Sequence, residues 1–257
     1  MATNKKLIVG NWKMYPATLK EARKTFDDFK KQKYSTKNIT TVICPPHIFL
    51  TDIKSRFSGS SIFFGAQDIF WKEEGAHTGE TSADMVKSAG ARFVIVGHSE
   101  TRANGVNNEM VSQKIGIAIK KDFHVILAIG EPERDDHGHY LRFLEEQITE
   151  SLRGVSRNKV QKLVIAYEPV WAIGKGKSAM TPDDLHRMTL YIKKILMSLY
   201  GKKVGSEVPI LYGGSVNSDN AAQIVYRGEV DGLLIGRASL NPEEFAKIID
   251  RVSKGEK

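Results

Sequence analysis

Several features that assign proteins to particular classes are missing or rare in this sequence. Its 257 residues contain one cysteine, Cys44, which excludes a disulfide framework and a thiolate metal cluster. No apolar run approaches the ~20 residues of a membrane-spanning helix, and the start, MATNKK, lacks the apolar region of a secretory signal. These absences predict a soluble, cytoplasmic protein without a membrane partner, in which Cys44 is a small buried apolar side chain.

The charge is unbalanced, with 38 lysines and arginines against 30 aspartates and glutamates and a net charge of +8. Such a balance suits attraction of an anionic substrate or binding of a polyanion such as nucleic acid, and composition does not choose between them. The lysine doublets are spread along the chain without the interleaved aromatic residues that stack on bases. They therefore indicate solvated helix faces, and no nucleic-acid partner is predicted.

Short apolar runs recur eight times, and each is continuous rather than alternating. Because they are rich in Val, Ile, Leu and Phe, they are typical of strands buried on both faces, as in a parallel sheet. The runs are KLIVGNW, TTVICPP, SIFFGAQD, ARFVIVGHSE, HVILAIGE, KLVIAYEP, VPILYGGS and DGLLIGRASL.

Segments with helical periodicity lie between these runs. In NPEEFAKIIDRV, the pattern predicts Asn241 as the cap, Pro242 at the first helical position and Glu244 closing a capping box. TPDDLHRMTLYIKKIL repeats the scheme from Thr181. A strand together with its helix approaches the ~30 residues that a strand-helix-strand crossover needs.

Eight such units without a linker match a closed (β/α)8 barrel, an α/β fold of eight parallel strands with outer helices, as one domain over residues 1–257. The alternative is a doubly wound open sheet, which usually has fewer strands. Its dinucleotide fingerprint should follow the first strand, where the sequence reads GNWKMY instead of GxGxxG. The barrel is therefore preferred, and its site is expected at the carboxyl ends of the strands.

Polar or glycine residues follow most of the predicted strands. Taken alone, each has an ordinary interpretation: Lys13 suits a surface lysine, His98 a core histidine, Gly213-Gly214 a turn, and Glu100 and Glu131 ion-pair partners. On a barrel, however, all of these positions face one opening. The strand-end set is Asn11, Lys13, Gln67, Asp68, His98, Ser99, Glu100, Glu131, Glu168, Gly213, Gly214, Ser215, Gly236 and Arg237.

The set combines a carboxylate that can act as a base, an imidazole that can polarise a carbonyl and a cation that can stabilise an enolate-like oxygen. These groups suit removal of a proton next to a carbonyl. Glycine-rich ends of the last two strands would let backbone N–H groups approach a phosphate. The sequence has neither metal-ligand spacing nor a nucleophile elbow. It therefore predicts chemistry without a cofactor or a metal on a small phosphorylated carbonyl compound.

Six motifs, in their order and spacing, resemble the triosephosphate isomerase family: GNWKM, GAHTGETSADM, VIVGHSE, YEPVWAIGKGK, YGGSV and DGLLIGRASL. The resemblance implies interconversion of dihydroxyacetone phosphate and D-glyceraldehyde 3-phosphate through an enediol(ate). It also implies roles that belong to the family's described chemistry, with Glu168 as the base and His98 as the electrophile. Lys13 would offset substrate charge beside Asn11, and Glu100 would position Lys13 or relay protons.

The same resemblance assigns the phosphate contacts and a lid. WAIGKGK, residues 171–177, is similar to a mobile loop that closes over the base and excludes water, with Gly174 offering an N–H to the phosphate. Ser215, Gly236 and Arg237 would bind the phosphate through their backbone N–H groups. The Arg237 side chain need not take part.

Residues 75–85 resemble a protruding loop that joins two subunits, which implies a homodimer with Thr78 near the neighbouring site. The sequence departs from the family pattern at Thr101, where an arginine usually pairs with the glutamate that matches Glu80. This departure bears on the contact between subunits and not on the fold. Further departures, at an interface position and in the fifth strand, are Tyr15 and Ala128.

Two other functions stay open from the sequence. The net charge and Thr101 leave room for a barrel that has become a polyanion-binding or structural protein, which would bind nucleic acid in a salt-dependent way. Another phosphate-binding barrel, such as an epimerase or a synthase, would keep the phosphate site but lack the combination of Lys13, His98 and Glu168. The presence of that combination favours the isomerase.

Overall fold

The computed structural model describes residues 5–172, 174 and 179–255. Within them, eight parallel strands follow one another around a closed barrel, and the first strand also pairs with the last. This pairing confirms the predicted barrel and makes the doubly wound open sheet wrong. The strands are β1 Lys6–Asn11, β2 Ile39–Cys44, β3 Ile62–Ala66, β4 Phe93–Val96, β5 His124–Ile129, β6 Leu163–Tyr167, β7 Ile210–Tyr212 and β8 Gly232–Ile235.

Successive residues of each strand pack in two different layers. In β1, Leu7 and Val9 belong to the apolar cluster inside the barrel, whereas Ile8 belongs to the larger cluster between strands and helices. In β6, Val164 and Ala166 lie inside in the same way. Because side chains alternate across a strand, both faces need apolar residues, which explains the continuous apolar runs of the sequence.

The α-helices of the described chain surround the barrel, and none of them combines the length and the apolar character needed to cross a membrane. Short 3-10 helices span Arg157–Lys162, Val170–Ala172 and Arg237–Leu240. The α-helices are α1 Leu19–Lys31, α2 His47–Ser55, α3 Ala83–Ser88, α4 Ser99–Ala103, α5 Asn108–Lys120, α6 His139–Ser151, α7 Pro182–Tyr200, α8 Lys202–Ser206, α9 Ala221–Arg227 and α10 Pro242–Lys254.

The predicted helix starts are confirmed with one correction. Thr181 caps α7 by accepting from the N–H of Asp184, and Asn241 caps α10 by accepting from the N–H groups of Glu243 and Glu244. The capping box predicted at Glu244 is wrong. Its carboxylate accepts instead from the N–H of Ser218, 2.6 Å away, because the loop after β7 brings that donor within reach.

Two small side chains fill the barrel interior as the sequence predicted. Cys44 is fully buried and unpaired, and burial raises the pKa of its thiol. A Cβ at Gly65 would lie 2.6 Å from Cys44 Sγ, so a larger residue has no room there. Ala128 of β5 lies opposite Ala166 of β6, and both belong to the interior cluster.

Candidate active site

A cavity of about 1070 Å³ opens at the carboxyl ends of the strands. Its walls include every residue that the sequence singled out for catalysis or phosphate binding. It extends along the loops after β7 and β8 to Asn220 and Glu244, neither of which the sequence assigned to a site. The predicted residues that line it are Asn11, Lys13, His98, Glu100, Glu168, Gly174, Ser215, Gly236 and Arg237.

Glu168 and His98 meet at the centre of this cavity. Glu168 continues the inward alternation of Val164 and Ala166 by one step past the end of β6, so its side chain points into the barrel mouth. His98 Nε2 lies 3.3 Å from Glu168 Oε1, and each side chain is only 5% exposed. A Cβ at Gly213 would lie 2.5 Å from Glu168 Cγ, so glycine is required there to leave room for the carboxylate.

His98 occupies the N-cap of α4, and this position decides which of its nitrogens faces the carboxylate. Its Nδ1 accepts from the N–H of Glu100 at 3.1 Å, so the proton of the neutral ring lies on Nε2, toward Glu168. Burial lowers the pKa of His98, but the charge of Glu168 and the contact with it raise that pKa by more. The pKa therefore lies above the usual histidine value in the free protein.

Lys13 is held from both sides in an uncommon backbone conformation, with a φ of 54°. Its N–H donates to Asn11 Oδ1 at 3.0 Å, and its carbonyl accepts from Gln67 Nε2 at 2.9 Å. Its ammonium group pairs with Glu100 Oε1 at 2.7 Å. The strand-end glutamine thus fixes the lysine backbone, a role that the sequence alone did not reveal.

The opposite side of the cavity, formed after β7 and β8, presents backbone. Ser215 follows Gly213-Gly214, and Gly236 lies between the end of β8 and the 3-10 helix that starts at Arg237. Bare peptide groups of this kind can approach an anion closely. The Arg237 side chain is exposed and makes no hydrogen bond or ion pair with any described residue.

The predicted lid is only partly covered by the described residues, since positions 173 and 175–178 lie outside them. Gly174 is described, lines the cavity and has a φ of 117°, which favours glycine. Ahead of it, the Ser215 hydroxyl donates to the carbonyl of Ala172 at 3.0 Å. Behind it, the N–H of Met180 donates to the Tyr212 hydroxyl at 2.9 Å. Both flanks of the lid are therefore attached to the end of β7.

Glu131 anchors the start of the lid from inside the protein. This fully buried carboxylate accepts from the Tyr167 hydroxyl, from Trp171 Nε1 and from Arg134 Nε, each at 2.9 Å. The predicted ion-pair role of Glu131 is confirmed through Arg134. The hydrogen bond between Glu131 and Trp171 was not predicted, because no local sequence pattern indicates a contact between residues so far apart in the chain.

The loop over residues 75–85 extends from the barrel after β3, and Thr78 and Glu80 are exposed in the single chain. Large apolar side chains stand exposed on neighbouring segments, with Met14 90% and Ile48 83% exposed. Tyr15 is also exposed, whereas Thr101 is turned inward, its hydroxyl donating to the carbonyl of His98 at 2.8 Å. No group of three metal-ligating side chains is found among the described residues.

Comparison with known proteins points to one family. The sequence model described as Triosephosphate isomerase matches residues 6–252. Three similar proteins, each named Triosephosphate isomerase, match over nearly the same length. Those from Thermoanaerobacter pseudethanolicus, Carboxydothermus hydrogenoformans and Caldanaerobacter subterraneus are 39%, 38% and 40% identical over 246, 250 and 246 residues, in each case 95% of this chain and 98% of the relative.

Proposed function

The chain belongs to the triosephosphate isomerase family and is an isomerase of triose phosphates, and we propose that the cavity at the carboxyl ends of the strands is its active site. The reaction interconverts dihydroxyacetone phosphate and D-glyceraldehyde 3-phosphate. The observation that carries the proposal is the 3.3 Å approach of His98 Nε2 to Glu168 Oε1 inside a cavity that Lys13 also lines. A carboxylate that can act as a base, an imidazole that can donate a hydrogen bond and a cation thus line the same cavity.

Glu168 removes the proton from the carbon next to the substrate carbonyl. His98 donates its Nε2–H toward the carbonyl oxygen, so that the carbonyl becomes an enediol(ate) rather than a free carbanion. Glu168 then returns the proton to the former carbonyl carbon, while the hydroxyl proton on the first carbon passes by way of His98 Nε2 to the former carbonyl oxygen, so the carbonyl moves by one position. Lys13 stabilises the negative charge that develops on oxygen, while Asn11 and Glu100 hold Lys13 in place.

The phosphate is held at the other end of the cavity by the backbone N–H groups of Gly174, Ser215, Gly236 and Arg237. Binding energy from this non-reacting part of the substrate orients the carbonyl carbon between His98 and Glu168. Closure of the lid over residues 171–177 would remove water from the carboxylate, which strengthens it as a base and protects the intermediate. The attachments of Ala172 and Met180 to the end of β7 support hinges at both flanks.

The direct test is steady-state turnover of both triose phosphates by the unmodified protein and by Glu168→Gln and Glu168→Asp. Glutamine keeps the shape of the side chain and removes the base, so we expect kcat to fall by roughly 10³-fold or more with circular dichroism unchanged. Aspartate retains the carboxylate but places it farther from the substrate, because its side chain is one methylene shorter. The decrease in kcat for Glu168→Asp should therefore be smaller. Full activity of Glu168→Gln would end the proposal.

A homodimer through residues 75–85 is part of the same proposal. Met14, Ile48 and Met85 are 90%, 83% and 58% exposed, and they follow three neighbouring strands, β1 to β3, at the end of the barrel that carries this loop. Exposed apolar side chains in one region are typical of an interface between proteins. Sedimentation at several concentrations tests the dimer.

We also propose a cytoplasmic location, because triose phosphates are intermediates of glycolysis and gluconeogenesis.

A further inference from the structure

Arg102 of α4 is a partly buried cation that forms no ion pair with any described residue. Its guanidinium donates to the carbonyl of Gly97 at 2.7 Å, to Asn108 Oδ1 at 2.6 Å and to Ser151 Oγ at 3.3 Å, all of them neutral acceptors. Burial lowers the pKa of Arg102 to about 10, so the side chain still carries its charge at neutral pH. A buried charge without a counter-charge is costly, and its presence calls for a reason.

The nearest negative charge along this hydrogen-bond chain is one residue further away. Asn108, at the start of α5, accepts from Arg102 with its oxygen and donates through Nδ2 to Glu150 Oε2 of α6 at 2.8 Å. An amide in this orientation accepts from the guanidinium with its oxygen and donates to the carboxylate with its nitrogen, so both neighbours are satisfied. Three helices are thereby connected through one neutral side chain.

The other end of this chain of hydrogen bonds reaches the active site. Arg102 Nε binds the carbonyl of Gly97, and the backbone N–H of Arg102 binds the carbonyl of His98 at 3.0 Å. The guanidinium thus holds the peptide group that precedes His98, whereas the one that follows it is held by the α4 backbone whatever the side chain at position 102. Gly97 has a φ of 72°, and a Cβ there would lie 2.9 Å from Arg102 Nη2. The approach of the guanidinium therefore requires glycine beside the histidine.

We propose that Arg102 is a positioning residue for the isomerisation: its guanidinium fixes the peptide group that precedes His98, while Asn108 and Glu150 fix the guanidinium. This rests on the proposed role of His98 as the group that polarises the carbonyl. Arg102 does not line the substrate cavity, and the phosphate contacts lie at the far side, after β7 and β8. Loss of Arg102 therefore lowers kcat and leaves KM nearly unchanged.

A second cavity gives this proposal a sharp test. Its volume is about 290 Å³, and its walls include Arg102, Asn108, Gln147 and Glu150. Phe143, which is 41% exposed, also lines it and brings it to the protein surface. If Arg102 is shortened to alanine, a free guanidinium ion can enter from this side and take the place of the missing group.

The experiment compares the unmodified protein, Arg102→Ala and Arg102→Lys in steady-state kinetics, with thermal unfolding measured alongside. For Arg102→Ala we expect kcat to fall on the order of 10–100-fold and KM to change by less than about threefold. Millimolar guanidinium chloride should restore part of kcat, and sodium chloride at equal ionic strength should not. Arg102→Lys keeps the charge but not the three contacts, so its kcat should lie between the two.

Arg23→Ala is the matched control, because Arg23 pairs with Asp52 on the surface between α1 and α2 and should leave kcat unchanged. If Arg102→Ala does not fold, Arg102→Lys and Asn108→Leu give the same readout. An unchanged kcat with only a lowered melting temperature would overturn the proposal, as would a loss that guanidinium restores no better than sodium chloride. His98→Gln is assayed in parallel. Full activity of His98→Gln would refute the proposed function. If His98→Gln is inactive while the Arg102 variants keep the kcat of the unmodified protein, the inference about Arg102 alone is refuted.

Discussion

The two sides of the active-site cavity are built by different means. The side that we propose for the substrate carbonyl, after β1, β4 and β6, presents the charged or polar side chains Lys13, His98 and Glu168, each in contact with a neighbour at 3.3 Å or less. The side that we propose for the phosphate, after β7 and β8, presents peptide groups beside glycines. They are called the carbonyl side and the phosphate side. The carbonyl side therefore depends on the positions of its side chains, and the phosphate side on backbone N–H groups that no side chain covers. Removing a side chain should impair the carbonyl side, and adding one at a glycine should impair the phosphate side or displace its neighbours.

After the loss of the base itself, the largest effect is expected from removing the cation of the carbonyl side. Lys13→Met keeps the length of the side chain and loses the charge that stabilises the oxygen of the enediolate. We expect kcat/KM to fall by roughly 10²–10³-fold, the loss typical of one oxyanion donor, with both kcat and KM affected because the phosphate is also negative. Steady-state kinetics measures this. An effect on KM alone would limit Lys13 to binding.

The next-largest decrease in kcat is expected from adding one methyl group at Gly213, which lies after β7 against the Glu168 side chain. Gly213→Ala would place a Cβ 2.5 Å from Glu168 Cγ and displace the carboxylate. We expect a loss of kcat on the order of 10²-fold without loss of the fold. Gly116→Ala in α5 is the matched control, because its Cβ would meet nothing within 4 Å. That control should stabilise the helix by up to ~1 kcal/mol and leave kcat unchanged. Equal kinetics for the two variants would contradict a tight fit around Glu168.

A smaller effect is expected from a side chain on the phosphate side. If the phosphate is bound by peptide N–H groups, Arg237→Met leaves them in place and removes only an exposed charge. KM should then rise by less than about threefold and kcat should stay the same, as for a weak, solvent-screened interaction. The rise should vanish at high salt. A loss of more than tenfold would show that the guanidinium itself binds the phosphate.

The smallest effect concerns titration rather than rate. Glu168 raises the pKa of His98 against the opposing influence of burial. In Glu168→Gln the carboxylate charge is gone and burial remains, so the pKa of His98 should fall, and the neutral ring should persist to lower pH. Titration of the imidazole resonances by NMR in both proteins measures this change. An unchanged pKa would mean that the two groups do not interact in solution.

The fold and the convergence of the named residues on one cavity could be predicted because both depend on short-range patterns. Eight continuous apolar runs correspond to the eight strands, and residues placed after strands of a barrel reach one opening. The period of two that buries Val164 and Ala166 also directs Glu168 inward. Such information is local and is therefore readable from the sequence.

The supporting contacts could not be predicted because they join distant segments through side-chain conformations. Gln67 binds the carbonyl of Lys13, and Glu131 binds Trp171, although nothing in either local sequence names the partner. Glu244 illustrates the reverse error, since its local pattern predicts a helix cap but Ser218 supplies a better donor. A capping pattern read from the local sequence therefore fails where a distant segment brings a hydrogen-bond donor to the same side chain.

The most direct test of the account is isomerisation of dihydroxyacetone phosphate in deuterium oxide, followed by NMR or mass spectrometry of the product. If Glu168 takes a proton from one carbon and returns a proton to the next, solvent deuterium should appear at carbon 2 of the glyceraldehyde 3-phosphate. Glu168→Gln should lose this exchange together with turnover. Complete retention of the substrate hydrogen, without any deuterium in the product, would point to a direct hydride shift and contradict proton transfer through an enediolate.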